Sequence, residues 1–292
     1  MKVRVPLFFI AAIVTVAGIY FRSWEAFIVA IVIFFLSIKY YRLLKWFEIS
    51  RQPLSEEQEY FLNRYSTYYP HLTGNTRKQF ERNFRLFLSR LPVEGEDGKL
   101  AALEMRLYIA MGFSTVLIGR PDWKLPLPRK VVVLPGGRLE PDMGIGKGDY
   151  AACATRETLY MTEKNLEISF KNSRDRYNNV FHELAHYFDS EDNTIDGKPF
   201  FYRRIKDSKT REYFYFEWKK VINHEYERAR KGEIHIRPYA LQSIGEFFAC
   251  AVEYFMEDPG ALKWESEDLY NLLLRFFNFD PVKLLGTPLA KN

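Results

Sequence analysis

Two histidines and a glutamate near the middle of the chain have the spacing of a metal site. His182, Glu183 and His186 form the pattern His-Glu-x-x-His within residues 177–189. On a helix, side chains four residues apart project from one face, so both imidazoles can bind one Zn²⁺ at about 2.0–2.1 Å. Glu183 cannot easily reach that metal from its own turn. It can reach a water there, which suits a general base.

The surrounding residues predict the helix that this spacing requires. Asn172 or Ser173 can cap its start, and the turn residues of 190–197 end it. Asp189 follows His186 by three residues and is a candidate acceptor for an imidazole N–H. Apolar side chains recur at helical spacing along the run: Val180, Phe181, Leu184, Ala185 and Phe188.

A third metal ligand is expected among carboxylates, the usual partners of such a histidine pair. Glu246 and Glu253 lie seven residues apart in the apolar run 239–256, hence on one helix face. A carboxylate is seldom buried without a partner for its charge, and a divalent cation could be that partner. The alternatives are a solvated face or pairing with arginines. His224 and His235 are rival ligands, but both lie in charged stretches, where a solvated histidine is commoner.

Composition and charge narrow the classes of function. The chain has 292 residues and a net charge of +5, and this excess is confined to residues 1–45. The remainder is neutral overall, which argues against a nucleic-acid-binding protein. Cys153 and Cys250 are the only cysteines, too few for a cysteine-rich zinc site. Such sparse use fits a reducing compartment.

The first 46 residues predict a membrane anchor. Apolar runs cover about 5–21 and 24–41, and aromatic residues suited to the membrane interface surround the second run. We expect a helical hairpin with two spans in the cytoplasmic membrane. Basic residues at both ends of the hairpin place the rest of the chain in the cytoplasm. A signal peptide, or one span with an interfacial second helix, is the alternative.

Beyond the anchor, residues 47–78 are predicted to be a helical linker and 79–292 the functional domain. Helices and short strands are segregated rather than alternating, which predicts an α+β fold. The strand 166–170, directly before the metal helix, is expected either to pair with an extended peptide or to pair within the sheet. Further strands are expected at 131–134 and 158–161, a loop at 141–149, and helices at 75–91, 102–118, 213–230, 240–256 and 269–277.

Three motifs in this order resemble the MtfA (Mlc titration factor A) family of zinc peptidases. Residues 80–281 take part in the likeness, and 104–110 look like a helix of that family. The catalytic domain of anthrax lethal factor is similar as well. The motifs are Asn179-Val180-x-His182-Glu183-Leu184-Ala185-His186-x-x-Asp189, then Asp196-Gly197-x-Pro199, and Tyr239-x₆-Glu246-Phe247-Phe248-Ala249.

The resemblance implies a mostly helical, gluzincin-like metallopeptidase domain with a small sheet. It implies one Zn²⁺ per chain, held by His182, His186 and Glu246, and leaves Glu253 as a supporting carboxylate. Spacing alone did not choose between the two glutamates. The implied partners are a peptide or protein substrate and, by family likeness only, a transcriptional regulator such as Mlc. The apolar N-terminus departs from the soluble members of the family.

Further roles carried by the resemblance are Glu183 as the general base and Tyr239 as a stabiliser of the transition state. Together these features predict a membrane-tethered zinc metallopeptidase. The alternative is a zinc-containing binding protein without enzymatic activity that sequesters a regulator at the membrane. A structural zinc prefers four protein ligands, whereas three ligands and an open position favour catalysis.

Overall fold

The computed structural model describes residues 15–16, 24–121, 123, 128–137, 152–155, 157–199 and 207–286. The chain divides into two compact units, Met1–Pro53 and Leu54–Asn292. The first unit contains helix α1, Trp24–Arg51. The predicted apolar run 5–21 and the predicted loop 141–149 lie wholly or largely outside the described residues.

Helix α1 does not meet the requirements of a membrane span. Among the residues that the structure describes, no helix has both the length and the apolar character needed to cross a bilayer. The structure therefore does not support the predicted hairpin. Several large apolar side chains of α1 are nevertheless exposed, including Ile31, Phe35 and Leu36.

The second unit begins within the segment predicted to be a linker. Helix α2 (Glu56–Tyr65) starts at a capping box between Ser55 and Gln58, and a 3₁₀ turn follows at Tyr69–His71. Apolar side chains along this segment are buried in the main core, so residues from Leu54 onward are part of the folded domain. These core side chains are Phe61, Leu62, Tyr68, Tyr69 and Leu72.

A four-stranded sheet forms one part of the domain, with the order β1-β2-β4-β3. Strand β2 is parallel to β1 and to β4, whereas β3 pairs antiparallel with β4 and ends the sheet. The strands predicted at 131–134 and 158–161 are confirmed. Neither β1 nor β3 was predicted. The strands are β1 (Val93–Gly95), β2 (Lys130–Leu134), β3 (Ala152–Ala154) and β4 (Thr158–Thr162).

Helices make up most of the remaining structure, which confirms the α+β class. Each helix of the core contributes an apolar face to one cluster of buried side chains. The helices after α2 are α3 (Gly74–Arg90), α4 (Leu103–Thr115), α5 (Glu163–Lys171), α6 (Asn179–Asp189), α7 (Ser208–Arg230), α8 (Ile244–Glu257), α9 (Pro259–Glu265), α10 (Glu267–Phe277) and α11 (Pro281–Leu285).

The predicted strand 166–170 is wrong, because these residues lie in α5. The side chain of Thr162 caps the helix by accepting the N–H of Asn165. Leu166, Ser169 and Phe170 are buried, and their spacing of three and four residues is that of a helix face. The segment therefore cannot pair with a substrate as a strand.

Helix α4 lies close to the metal-site helix α6 at Gly112. A Cβ added there would lie 2.5 Å from Cγ1 of Val180 and 3.0 Å from Cζ of Phe170. We expect Gly112→Ala to lower the free energy of unfolding by about 1–3 kcal/mol through overpacking. This cost opposes the roughly 1 kcal/mol by which alanine favours a helix over glycine. Denaturant unfolding of the purified protein measures the change.

Gly260 in α9 is the matched control for that substitution. Apart from its chain neighbours and the backbone of its own helix, no described atom lies within 4 Å of the position that its Cβ would take. Gly260→Ala is therefore expected to leave stability unchanged or to raise it by up to about 1 kcal/mol. Equal losses in the two variants would contradict the packing explanation.

Candidate metal centre

Helix α6 presents the two histidines of the motif on one face. The side-chain carbonyl of Asn178 caps the helix by accepting the N–H groups of Val180 and Phe181 at 3.1 and 3.2 Å. The predicted caps at Asn172 and Ser173 are thus wrong, because a turn separates α5 from α6. Burial of the apolar face against the core fixes the direction in which His182 and His186 project.

Helix α8 supplies the carboxylates. Ser243 caps its start by accepting the N–H of Glu246 at 3.1 Å, which places Glu246 in the first turn. Glu253 lies two turns further along and is fully buried. Because α6 and α8 pack against each other, residues separated by about 60 positions in the sequence meet at one place.

Three ligand atoms converge between the two helices. Nε2 of His182 lies 3.0 Å from Oε2 of Glu246 and 3.1 Å from Nε2 of His186. The third separation, from Nε2 of His186 to Oε2 of Glu246, is 3.4 Å. A tetrahedral zinc with bonds of about 2.0–2.1 Å requires ligand separations of roughly 3.3–3.4 Å. The observed separations of 3.0–3.4 Å lie close to this range, so the three residues could hold a metal ion between them.

The electrostatics of Glu246 suit a ligand. Burial alone would raise the pKa of its carboxyl, but hydrogen bonds with His182 and His186 lower it to about 2. The carboxyl is therefore ionised in the range where proteins are stable. Glu183 is buried beside these residues, and the loss of solvent raises the pKa of its carboxyl.

Glu253 contacts the other nitrogen of His182. Its Oε1 lies 2.6 Å from Nδ1 of the imidazole, and its Oε2 accepts the N–H of Asn178 at 2.7 Å. A carboxylate at Nδ1 assigns the proton to that nitrogen and leaves Nε2 free to bind a metal. Glu253 thus lies where the predicted supporting carboxylate belongs, and its functional role stays a prediction.

Asp189 does not accept an imidazole N–H, contrary to expectation. Its two carboxylate oxygens accept the backbone N–H groups of Gly197 and Lys198, both at 2.8 Å. Gly197 has a φ of +73°, and a Cβ there would lie 2.8 Å from the carbonyl oxygen of Ile244. Glycine is therefore required, and Asp189 fixes the end of α6 to the loop beside α8.

Tyr239 lies in a 3₁₀ turn, Pro238–Leu241, directly before α8. Its ring centroid is 5.8 Å from that of His182, so the phenol borders the centre.

The two rival histidines, His224 and His235, lie elsewhere and have other partners. His224 contacts Glu225 at 2.9 Å, and His235 contacts Glu265 at 3.0 Å. Neither belongs to a potential metal-binding group within the described residues.

A second group, of His182, Cys250 and Glu253, also has its potential ligand atoms within 4.8 Å of one another. Arg237 already provides positive charge there. Its guanidinium is 3.1 Å from Sγ of Cys250 and 2.5 Å from Oε1 of Glu253. The group of His182, His186 and Glu246 is therefore the better candidate for a metal site.

Comparison with known proteins identifies the family. The profile described as "Glucose-regulated metallo-peptidase M90" matches residues 40–278. The chain belongs to the M90 metallopeptidase family. An uncharacterized protein of Synechocystis sp. is 24% identical over 258 residues, covering 82% of this chain and 90% of that protein.

Membership of the M90 family confirms the resemblance to MtfA and makes a metal ion part of the expected site. Sequence reasoning nevertheless missed one residue of the centre. Arg237 stands two positions before Tyr239 and carries the one charge between His235 and Glu246. A single charge in an otherwise uncharged segment is a weak signal for a functional residue, because only the packed structure shows that Arg237 pairs with Glu253.

Proposed function

We propose that this protein is a zinc-dependent peptidase that hydrolyses peptide bonds. The convergence of His182, His186 and Glu246 beside the buried carboxylate of Glu183 carries this proposal. Three protein ligands leave a fourth zinc position open, which is the arrangement of catalytic rather than structural zinc sites.

In the proposed reaction, a bound zinc ion would act as a Lewis acid: it would polarise the scissile carbonyl and lower the pKa of the attacking water. Glu183 takes a proton from the attacking water and transfers it to the leaving amine. The hydroxyl of Tyr239 donates a hydrogen bond to the oxygen on which negative charge develops. The buried surroundings strengthen both interactions, because they lower the local dielectric constant.

Strand β3 is the element best placed to bind an extended peptide. It forms the end of the sheet among the described strands and packs against α6. The hydroxyl of Tyr187 donates to the carbonyl of Thr155 at 2.8 Å and so ties the strand's end to the metal helix. The end strand of a sheet can offer backbone donors and acceptors to a peptide, so we infer that the substrate adds a strand there.

Cleavage of a peptide library by the zinc-loaded, full-length protein tests this proposal. Mass spectrometry of the products should show cut peptides, and prior removal of zinc with a chelator should abolish the cuts. Intact peptides at full zinc occupancy would contradict the peptidase assignment and leave regulator binding as the function.

We further propose that the first unit attaches the protein to the cytoplasmic membrane. The support is the exposed apolar surface of α1, on which Ile31 is 54% exposed, Phe35 64% and Leu36 57%. Exposed apolar surface of this extent costs free energy in water and is typical of interaction sites. Trp24 and Tyr40 are exposed near the ends of this surface, as expected for residues at a membrane interface.

Reporter fusions test the attachment and its orientation. A reporter after residue 46 and another at the N-terminus should both show a cytoplasmic location, because basic residues flank both ends of the apolar segment. The protein should also sediment with membranes and be released by detergent. A reporter signal outside the cytoplasm, or recovery in the soluble fraction, would contradict the proposal.

A further inference from the structure

The guanidinium of Arg237 contacts several parts of the centre at once. Its Nη2 lies 2.5 Å from Oε1 of Glu253, the same oxygen that His182 reaches through Nδ1. Its Nε donates to Sγ of Cys250 at 3.1 Å. Arg237 thereby fixes the carboxylate from the side opposite the metal.

The same guanidinium lies over two aromatic rings. It is 4.7 Å from the ring centroid of Tyr177 and 5.2 Å from that of Tyr239. A planar cation over aromatic faces is held by cation–π attraction of about 0.5–2 kcal/mol per ring. Arg237 therefore contacts both the carboxylate that orients His182 and the phenol that borders the centre.

We propose that Arg237 is a positioning residue of this metallopeptidase, which fixes Glu253 behind His182 and supports the ring of Tyr239. The expected effect of Arg237 on catalysis rests on the proposed function. Its expected effect on zinc affinity rests only on the geometry of the candidate ligands. Its Nη2 also lies 2.9 Å from Nδ1 of His182, the ring nitrogen that faces away from the proposed metal position. Arg237 therefore touches no ligand atom of the metal and acts through Glu253, Tyr239 and the ring of His182.

Lysine cannot replace arginine in this role. A guanidinium is planar and carries donors in a fixed fork, so one side chain can hydrogen-bond to Glu253 and Cys250 while it lies over the rings of the two tyrosines. An ammonium group is a point charge on a flexible stem and cannot make these contacts together. Arg237→Lys keeps the positive charge but removes the planar fork of hydrogen-bond donors, so this variant separates the two contributions.

Zinc affinity of the full-length protein, measured by competition with a chelator, tests the proposal. We expect Arg237→Lys to weaken zinc binding about 10–100-fold, as loss of groups that orient a ligand does. At saturating zinc it should lower kcat about 10–100-fold, the size expected for misplacement of a reacting group, and leave KM unchanged. The metal-free variant should still unfold in a single cooperative transition, with a melting temperature lowered only by the loss of these local contacts.

Arg275→Lys is the matched control. Arg275 also forms a two-pronged ion pair, with Glu217 at 2.8 and 2.9 Å, and lies over the ring of Phe214. This substitution should leave zinc affinity and kcat unchanged, because the side chain of Arg275 contacts Glu217, Asn271 and Phe214, none of which belongs to the centre. Equal zinc loss in the two variants would overturn the proposal.

A double variant separates positioning from a general loss of stability. If Arg237 acts on zinc through Glu253, Glu253→Gln alone should reproduce the loss of zinc affinity. Arg237→Lys added to Glu253→Gln should then change that affinity less than 2-fold, since coupled residues are not additive. Additive losses, or a lower melting temperature with unchanged zinc affinity, would overturn the proposal. The zinc measurements decide this even for a protein that cleaves no peptide, so the two proposals fail separately.

Discussion

Replacement of Glu183 by glutamine is expected to lower kcat/KM for peptide cleavage by about 10²–10⁴, the usual contribution of a general base. The amide has the size of the carboxylate but cannot accept a proton at neutral pH. Glu183 is buried beside His182 and is not one of the three converging ligands. Zinc content and melting temperature should therefore stay close to those of the wild type.

Two further variants, one at a second proposed catalytic residue and one at the surface, are needed to interpret the loss of activity in Glu183→Gln. Tyr239→Phe removes one hydroxyl and should lower kcat by roughly 10²–10³ at unchanged zinc content. Because the lost interaction belongs to the transition state, kcat and kcat/KM should fall equally. Glu267→Gln, on the exposed start of α10, should change neither. Full activity of zinc-loaded Glu183→Gln would exclude the proposed mechanism.

Loss of zinc from Glu246→Ala is the second large effect that we expect. The substitution leaves two protein ligands, too few for a stable zinc site, so dialysis against a chelator should strip the variant at concentrations that spare the wild type. Glu253→Gln should weaken binding only about 10–100-fold, because Glu253 meets His182 at Nδ1 rather than facing the metal. Zinc per chain is measured by elemental analysis.

His235→Ala serves as the control for ligand removal. This histidine is exposed and paired with Glu265 at 3.0 Å, so its loss should leave one zinc per chain. Stronger zinc loss in Glu253→Gln than in Glu246→Ala would reverse the assignment of the third ligand.

Much of this architecture could be predicted from local patterns. Helical periodicity placed α3, α4 and α10 within a few residues of their observed ends. A run of valines placed β2, and alternating side chains placed β4. The ligand set followed from the motif and from the family resemblance. Such features depend on neighbours in the sequence, which fix both burial and backbone geometry.

The errors have a common physical cause in long-range packing. Strands β1 and β3 have three residues each, too few for a sequence period, and form because β2 and β4 offer them partners. Residues 166–170 contain enough apolar side chains for a strand, but the cap at Thr162 begins a helix. Asp189 accepts N–H groups from the loop eight and nine residues further on, and Arg237 meets Glu253 and Cys250 only after the turn before α8 has folded against that helix.

The division of the ligands between α6 and α8 also sets an order of events during synthesis. The two histidines leave the ribosome about 60 residues before Glu246, so the nascent chain first holds an incomplete binding site. Closure of such a long loop costs entropy that only the packing of both helices repays. We therefore expect metal loading to follow folding, and a chain stalled before α8 to present the histidine pair without the third candidate ligand, Glu246.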